Sequence, residues 1–216
     1  MSAVASAKGP SATRDARETL ISVAGEIFAE NGYEATTIKQ ITDRAGVNVA
    51  SVNYYFRDKL GLYTEVLRQC LHNGRLALPS EQLPAEERLT LYIHSFMNSL
   101  VAAGRPGWCG RLTVRELAQP TPALPQVMEE IIRPNFLLLR QLVAEVAGRR
   151  LEEETLTLLT HSVTAQCVHW KVSREILPYL WPDLEFDQEQ VRRIADHIAA
   201  MSIAGIRAMA GKEAAA

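Results

Sequence analysis

Side chains that can hydrogen-bond to nucleic acid are concentrated between residues 48 and 59 of this 216-residue chain. Ser51 and Asn53 offer a hydroxyl and an amide, which are groups that contact base edges and phosphates in a DNA groove. Lys59 lies just beyond them, at the start of a further helix whose backbone N–H groups also favour anions. We therefore predict that this stretch contacts double-stranded DNA. The expected contact residues are Thr37, Lys39, Asn48, Val49, Ala50, Ser51, Asn53, Tyr54, Tyr55 and Lys59.

Two short helices on either side of a glycine are expected to position these side chains. Thr37 is a favoured N-cap residue, and Gln40 three positions later completes a capping box. Gly46 ends that helix, and Asn48 can cap a second one. This arrangement predicts a helix-turn-helix whose second helix enters a major groove. The alternative is a hairpin that serves only for packing, but the second helix is short and polar on one side, which favours DNA binding.

The neighbouring segments supply a framework for this motif. Residues 1–13 are small and polar with a Gly-Pro break, which predicts a disordered arm. Apolar residues at helical spacing predict an amphipathic helix from Arg14 to Asn31. A helix after Asp58 is expected to reach about residue 76, and residues 14–60 form the predicted DNA-binding domain. The expected core residues of this domain are Phe28, Ile41, Val47, Val52 and Phe56.

Residues 37–59 resemble the helix-turn-helix of the TetR family of bacterial repressors, whose pattern reads approximately T-x-x-x-I-A-x-x-A-G-V-S-x-G-T-L-Y-x-H-F-x-x-K. The matching residues are Thr37, Ile41, Ala45, Gly46, Val47, Phe56 and Lys59. The departures are Thr42 for alanine, Asn48 for serine, Ala50 for glycine, Ser51 for threonine, Asn53 for a tyrosine that often touches phosphate, and Tyr55 for histidine. The resemblance implies a three-helix DNA-binding domain followed by a larger helical domain.

The remainder of the chain, residues 77–212, shows helical periodicity and no strand alternation, so the predicted fold class is all-α. A glycine-rich loop over 103–111 is expected to hold Trp108 and Cys109. The expected helices cover residues 86–103, 112–118, a long segment to 146 that is kinked at Pro134, 152–177 and 188–209.

The two long C-terminal helices are expected to form a dimer interface. Small residues are interleaved with apolar ones along the last helix, which allows a second helix to approach closely. These helices could instead complete the core of the monomer. Both the family resemblance and the two-fold symmetry of palindromic DNA sites favour a homodimer with a four-helix interface.

Polar and aromatic residues on the apolar faces of the middle helices predict a cavity for a small organic effector. Taken singly, each of them is more simply a surface residue or a satisfied core residue. The stretch WCGRLTVRELAQPTPAL and the later WPDLEF resemble the CecR-like branch of the TetR family, which implies sensing of drug-like or otherwise toxic small molecules. The expected effector-binding residues are Tyr63, Cys70, His94, Trp108, Arg111, Arg115, Gln166 and Trp170.

Composition argues against several other kinds of protein. The formal net charge is −2 and the pI is about 6.2, which is not typical of a non-specific nucleic-acid binder. Three cysteines without close spacing argue against a disulfide framework or a zinc knuckle. A thiol switch at Cys109 stays open, although no second cysteine lies near it in the sequence.

Enzyme, metal and membrane functions are not expected. The sequence contains no Walker-type phosphate loop and no nucleophile elbow, so we expect neither catalysis nor a cofactor. His161 and His169 share a helix face but have no evident third ligand nearby, so no metal site is expected. Because a signal peptide and membrane-spanning stretches are also absent, the expected location is the cytoplasm.

These features predict a homodimeric transcriptional repressor that binds a palindromic operator. A small-molecule effector would shift the helix from Lys59 to Arg75 and so change the spacing of the two DNA-reading helices. A transcriptional activator with the same DNA contacts is one alternative. The other is a helical small-molecule-binding protein or enzyme in which the helix-turn-helix is only structural.

Overall fold

The computed structural model describes residues 10–71, 80–101 and 106–215, and these residues form eleven α-helices, one π-helical turn and no strand. The all-α prediction is therefore confirmed. The helices are α1 Pro10–Ala35, α2 Ile38–Ala45, α3 Val49–Phe56, α4 Lys59–Leu71, α5 Ala85–Val101, α6 Trp108–Ala118, α7 Leu124–Val127, α8 Arg133–Ala147, α9 Glu153–Val172, α10 Leu177–Leu180 and α11 Gln188–Ala215, with the π-helical turn over Met128–Ile132.

Several helix boundaries differ from those expected. Helix α1 begins at Pro10, so residues 10–13 are helical, whereas residues 1–9 of the predicted arm lie outside the described residues. Residues 72–76 of the predicted connecting helix also lie outside them. The expected loop over 103–111 was wrong at its end, because Trp108 and Cys109 form the first turn of α6. Instead of one continuous α-helix to residue 146, a π-helical turn over Met128–Ile132 precedes α8, which starts at Arg133 with Pro134 in its first turn.

The chain forms two compact units. Unit 1 comprises Met1–Cys70 with Pro106–Val127, and unit 2 comprises Leu71–Arg105 with Met128–Ala216. In this grouping α6 and α7 belong with the N-terminal helices, and the predicted domain boundary at residue 77 stays a prediction. The chain therefore passes between the units at three places rather than one.

Unit 1 is built on a core shared by its first four helices. Phe28 of α1, Ile41 of α2, Val52 of α3 and Leu62 of α4 are fully buried. Burial of a large apolar side chain stabilises the fold by about 1.5–3 kcal/mol. Phe56 completes the expected core, whereas Val47 in the turn is only half-buried.

Unit 2 has a separate core between α5, α8, α9 and α11. Its fully or almost fully buried members include Tyr92, Leu142, Val163 and Ile198. Tyr92 also donates a hydrogen bond of 2.9 Å from its hydroxyl to the carbonyl of Asn135. The apolar stripes of four long helices thus meet in one cluster, as expected for a helical bundle.

Candidate nucleic-acid interface

The turn between α2 and α3 has the capping geometry that its sequence predicts. Thr37 accepts a hydrogen bond of 3.2 Å from the backbone N–H of Gln40, and the Gln40 side chain accepts one of 2.8 Å from the Thr37 N–H. Gly46 has a φ of 66°, a left-handed conformation that suits glycine. The Asn48 side chain then accepts from the Ala50 N–H at 2.8 Å and caps α3. Local interactions alone therefore fix the start of α3.

Helix α3 divides into a buried face and an exposed face. Val52 and Phe56 point into the core of unit 1, whereas Val49, one of the predicted DNA-contact residues, is 45% exposed. Tyr54 is 79% exposed. The exposed predicted contact residues are Asn48, Val49, Ala50, Asn53 and Tyr54, and Ser51 and Tyr55 are half-buried beside them. The helix thus presents an amide- and phenol-bearing surface to solvent.

The predicted contacts on α2 lie at its exposed surface. Thr37 is exposed, although its hydroxyl is used in the cap. Lys39 forms an ion pair of 2.7 Å with Asp43 in which both side chains are largely exposed. An exposed pair of this kind is worth only about 0.3–0.5 kcal/mol, so Lys39 can exchange its partner for a phosphate at little cost.

Lys59 has a structural role that the sequence did not indicate. Its ammonium group donates to the carbonyl oxygens of Tyr33 at 2.8 Å, Thr36 at 3.0 Å and Glu34 at 3.4 Å, and it lies 4.3 Å from the centre of the Tyr33 ring. A cation is favourable beside the carbonyl groups that end a helix. Lys59 therefore ties the start of α4 to the end of α1, and its contact with DNA stays a prediction.

A buried hydrogen-bond network joins α4 to α6 inside unit 1. The Tyr63 hydroxyl donates to the Glu116 carboxylate at 2.7 Å, and both residues are buried. Glu116 also accepts from the backbone N–H of Thr121 at 3.0 Å and from its hydroxyl at 3.1 Å. Burial, and then the hydrogen bond to Glu116, raise the pKa of Tyr63 above its usual value. The network keeps a carboxylate satisfied in the core, and sequence reasoning did not identify Glu116.

Helix α6 also packs closely against α1. The Trp108 indole lies over Gly25, where an added methyl group would overlap the ring. Arg115 lies against Gly32 and donates to the carbonyl of Glu30 at 3.3 Å. These two glycines therefore admit the large side chains of α6, which explains why residues 106–127 belong to unit 1.

A disulfide bond connects Cys70, in the last turn of α4, to Cys109, in the first turn of α6. The expectation from cysteine spacing was wrong here, because the two residues are 39 positions apart in sequence but have Cα atoms only 5.1 Å apart. Cys109 has no cysteine near it in the sequence, but the fold places Cys70 beside it. Cys167 is a free and fully buried thiol in unit 2.

The predicted effector-binding residues are divided between the two units. Tyr63 and Cys70 on α4 and Trp108 and Arg115 on α6 belong to unit 1, as does Arg111, which is exposed on α6. The remaining three, His94, Gln166 and Trp170, belong to unit 2. The effector set as a whole stays a prediction.

The unit 2 members of this set have partners within their own unit. His94 forms a contact of 2.7 Å with Asp196, and Gln166 donates to the Ser202 hydroxyl at 3.4 Å. Trp170 is half-buried, with its ring centre 6.5 Å from that of Phe186. Sequence reasoning also missed the buried Arg88 in this unit. Arg88 pairs with Glu145 through Nη1, while its Nε and Nη2 atoms have no hydrogen-bond partner among the described residues.

Apolar side chains are also exposed on the outer helices of unit 2. Leu158 on α9 and Met201 on α11 are 61% and 57% exposed, and Tyr179 on α10 is 87% exposed. Among the residues that the structure describes, no group of His, Cys, Asp and Glu side chains could hold a metal ion. The described helices include none with the length and apolar character needed to cross a membrane.

Comparison with known proteins places these features in a family. Residues 20–66 match the bacterial regulatory proteins of the tetR family, and residues 85–206 match the C-terminal domain of the HTH-type transcriptional dual regulator CecR. The CecR protein of Shigella flexneri is 27% identical over 192 residues, which cover 83% of this chain and 86% of that protein.

Solved structures share the fold. A TetR-family regulatory protein from Rhodococcus RHA1 has a TM-score of 0.65 at 16% identity, over 88% of this chain and 96% of that one. FadR from Bacillus subtilis, solved in complex with stearoyl-CoA, has a TM-score of 0.60 at 19% identity, over 87% of this chain and 98% of that one. The fold agrees with the two family matches, which show that this chain belongs to the TetR family of DNA-binding transcriptional regulators and carries the C-terminal domain of the CecR family.

Proposed function

We propose that this protein is a cytoplasmic, homodimeric repressor that a small organic effector releases from a palindromic operator. The observation that carries the proposal is the exposed polar face of α3, which is held in place by two buried side chains and a cap at its start. Asn53 and Tyr54 are exposed on the outer face of this helix, and a DNA groove would supply partners for their polar groups.

The outer face of α3 has chemistry suited to base edges and phosphates. Asn53 can form a paired hydrogen bond with adenine, and Ser51 can contact either a base or a phosphate. Asn48 uses its side-chain oxygen in the cap, which leaves its amide N–H groups to donate to DNA. Lys39 and the phenol of Tyr54 are exposed beside this face and would contact the sugar–phosphate backbone.

A dimer would provide the second recognition helix. An eight-residue helix is about 12 Å long and contacts only a few base pairs, so selective binding needs two copies on two half-sites. The exposed apolar residues Leu158 on α9 and Met201 on α11 supply a surface for the partner chain. Covering such residues with a second copy would remove them from water, which favours association.

An effector bound within unit 2 would act through the segments that join the two units. These are the end of α4, the segment before α6 and the π-helical turn after α7. A coupling free energy of about 1–3 kcal/mol changes DNA affinity by roughly 5–150-fold. The FadR neighbour, which was solved in complex with stearoyl-CoA, supports the idea that a protein of this fold can hold an organic ligand.

The test begins with genomic DNA. The purified protein is mixed with fragments of its own genome, the retained fragments are sequenced, and binding to the enriched site is measured by fluorescence anisotropy. We expect a palindromic site that is bound at least about a thousandfold more tightly than scrambled DNA of the same length. Equal affinity for both DNAs would contradict the proposal.

Activation is a second candidate function, because the CecR relative is described as a dual regulator. Activation and repression would use the same α3 contacts and differ in the position of the operator relative to the promoter. Transcription in vitro from the promoter beside the enriched site, with and without the protein, distinguishes them. A fall in transcript supports repression, and a rise supports activation.

A further inference from the structure

Two of the three cysteines are brought together at the edge of unit 1. Cys70 ends the part of α4 that belongs to this unit, and Cys109 lies in the first turn of α6. Their Cα atoms are 5.1 Å apart, within the range that permits a disulfide without backbone movement. The fold therefore brings two cysteines that are 39 positions apart in the sequence within bonding reach.

The position of this pair in the chain is unusual. The chain leaves unit 1 between Cys70 and Leu71 and re-enters it between Arg105 and Pro106. The disulfide therefore lies within four residues of two of the three passages between the units. Helix α4 runs from Lys59, just after α3, to Leu71. Forming or breaking the disulfide therefore acts on the end of α4 that is farther from α3.

All three cysteines are buried, with Cys70 0%, Cys109 2% and Cys167 0% exposed, so they differ in their position on the helices and not in their exposure. Cys109 is the second residue of α6, and the preceding Gly107 offers no side chain to cap the first-turn N–H groups. A helix N-terminus stabilises a thiolate, which is the reactive form. Cys167 lies in the apolar core of unit 2, where burial raises the pKa of its thiol to about 12 and keeps it protonated. Cys167 is therefore a natural internal control.

We propose that Cys70 and Cys109 are a reversible oxidation site that responds to peroxide and changes the affinity of the protein for DNA. The Cys109 thiolate attacks hydrogen peroxide and becomes a sulfenic acid, and the displaced hydroxide takes up a proton to give water. The Cys70 thiol then attacks the Cys109 sulfur, the S–OH bond breaks, and a second water leaves as the disulfide forms. One peroxide is thereby reduced to two waters while two thiols lose two electrons, and a small dithiol reverses the change.

The expected consequence for DNA binding rests on the proposed function. The bond fixes the end of α4 to α6, and α6 is itself held on α1 by the contact of Trp108 with Gly25. Two recognition helices must adjust to the spacing of two half-sites, and the bond removes part of the movement that allows this. Oxidation therefore lowers operator affinity, by at least about fivefold if the coupling is of ordinary size.

The chemical half of the proposal is tested on the full-length reduced protein without any DNA. Stoichiometric hydrogen peroxide is added, and peptides are mapped by mass spectrometry without reduction. We expect a linked pair of peptides containing Cys70 and Cys109, an intact Cys167 thiol, and full reversal by dithiothreitol. The proposal is overturned if the bond does not form, if dithiothreitol cannot reduce it in the folded protein, or if Cys167 reacts first.

The regulatory half is tested by anisotropy on the genomic site that the reduced protein selects. Wild-type protein and Cys167→Ala should both lose affinity on oxidation, and Cys109→Ala and Cys70→Ala should not respond. Comparing oxidised with reduced wild-type protein needs no substitution, so a poorly folding variant cannot obscure the result. Unchanged or tighter binding after oxidation overturns this half. Failure of the reduced protein to prefer any DNA instead contradicts the proposed function, and the peptide mapping still decides whether the pair is oxidisable.

Discussion

Helices α3 and α6 are both short helices of unit 1, yet they are held in different ways. Helix α3 is anchored by Val52 and Phe56 and by its N-terminal cap, and most of its other side chains are exposed. Helix α6 buries an indole, a carboxylate and a cysteine, each with a specific partner on another helix. The difference indicates that α3 leaves an exposed surface, whereas α6 contributes buried contacts that stabilise unit 1.

This contrast predicts two classes of substitution. Changes in α6 or its partners should alter the free energy of unfolding, and changes on the outer face of α3 should alter DNA affinity while leaving stability unchanged. A substitution on the outer face of α3 that lowers the free energy of unfolding would show that this division is wrong. Unfolding is measured by urea titration and DNA binding by anisotropy on the selected operator.

The largest effect is expected from Trp108→Ala. Removing a buried indole leaves a cavity over Gly25 and should lower the free energy of unfolding by about 3–5 kcal/mol. The matched control is Trp181→Ala, because Trp181 is 44% exposed. Trp181→Ala should lower the free energy of unfolding far less. Equal decreases for the two variants would contradict the conclusion that α6 stabilises unit 1.

Lys59→Met should lower the free energy of unfolding by about 1.5–3 kcal/mol, because the backbone carbonyls at the end of α1 lose a charged donor. Lys39→Met is the control, since its exposed pair with Asp43 contributes little. If Lys59 instead acts mainly on DNA phosphates, Lys59→Met will unfold at the same urea concentration as wild type and lose only salt-dependent affinity.

Tyr63→Phe should lower the free energy of unfolding by about 1–3 kcal/mol at neutral pH, because the buried Glu116 carboxylate loses a hydrogen-bond donor. The pKa of Tyr63 is raised in the folded protein above the unfolded value of about 10. Its contribution to stability is therefore complete below pH 10 and is lost as the pH rises further. The difference between wild type and Tyr63→Phe should shrink in urea titrations above pH 10. A difference in the free energy of unfolding that stays constant above pH 10 would contradict a stabilising hydrogen bond between Tyr63 and Glu116.

The smallest change in stability is expected for Lys39→Ala, because its ion pair is largely exposed. A lost phosphate contact should reduce the slope of log affinity against log salt by about 0.9 per contact. The change should be the same for operator and scrambled DNA, since phosphates carry no sequence information. A change in base preference would show that Lys39 contacts bases instead.

The sequence predicted the features of unit 1 that depend on neighbouring residues. Thr37 with Gln40, Gly46 and Asn48 act over two to four positions, so their caps and turn could be inferred without the fold. The helical spacing of apolar residues also identified Val52 and Phe56 as core residues. Val47, the remaining predicted core residue of this motif, is only half-buried because it lies in the turn, where helical periodicity does not apply.

The features that the sequence did not predict depend on residues far apart in the chain. Trp108 meets Gly25, Tyr63 meets Glu116 and Cys70 meets Cys109 only after α6 has packed against the N-terminal helices. No spacing rule connects such pairs. The ammonium of Lys59 is a similar case, because its three carbonyl partners end α1 more than twenty positions earlier.

The central claim, that the outer face of α3 recognises DNA, is tested most directly by a pair of asparagine substitutions. Asn53 lies on that face, and Asn98 is another exposed asparagine, on α5 in unit 2. We predict that Asn53→Ala loses about 1–3 kcal/mol of operator affinity and relaxes base preference without loss of stability, and that Asn98→Ala changes neither. Wild-type affinity and specificity in Asn53→Ala, or an equal loss in Asn98→Ala, would contradict the account.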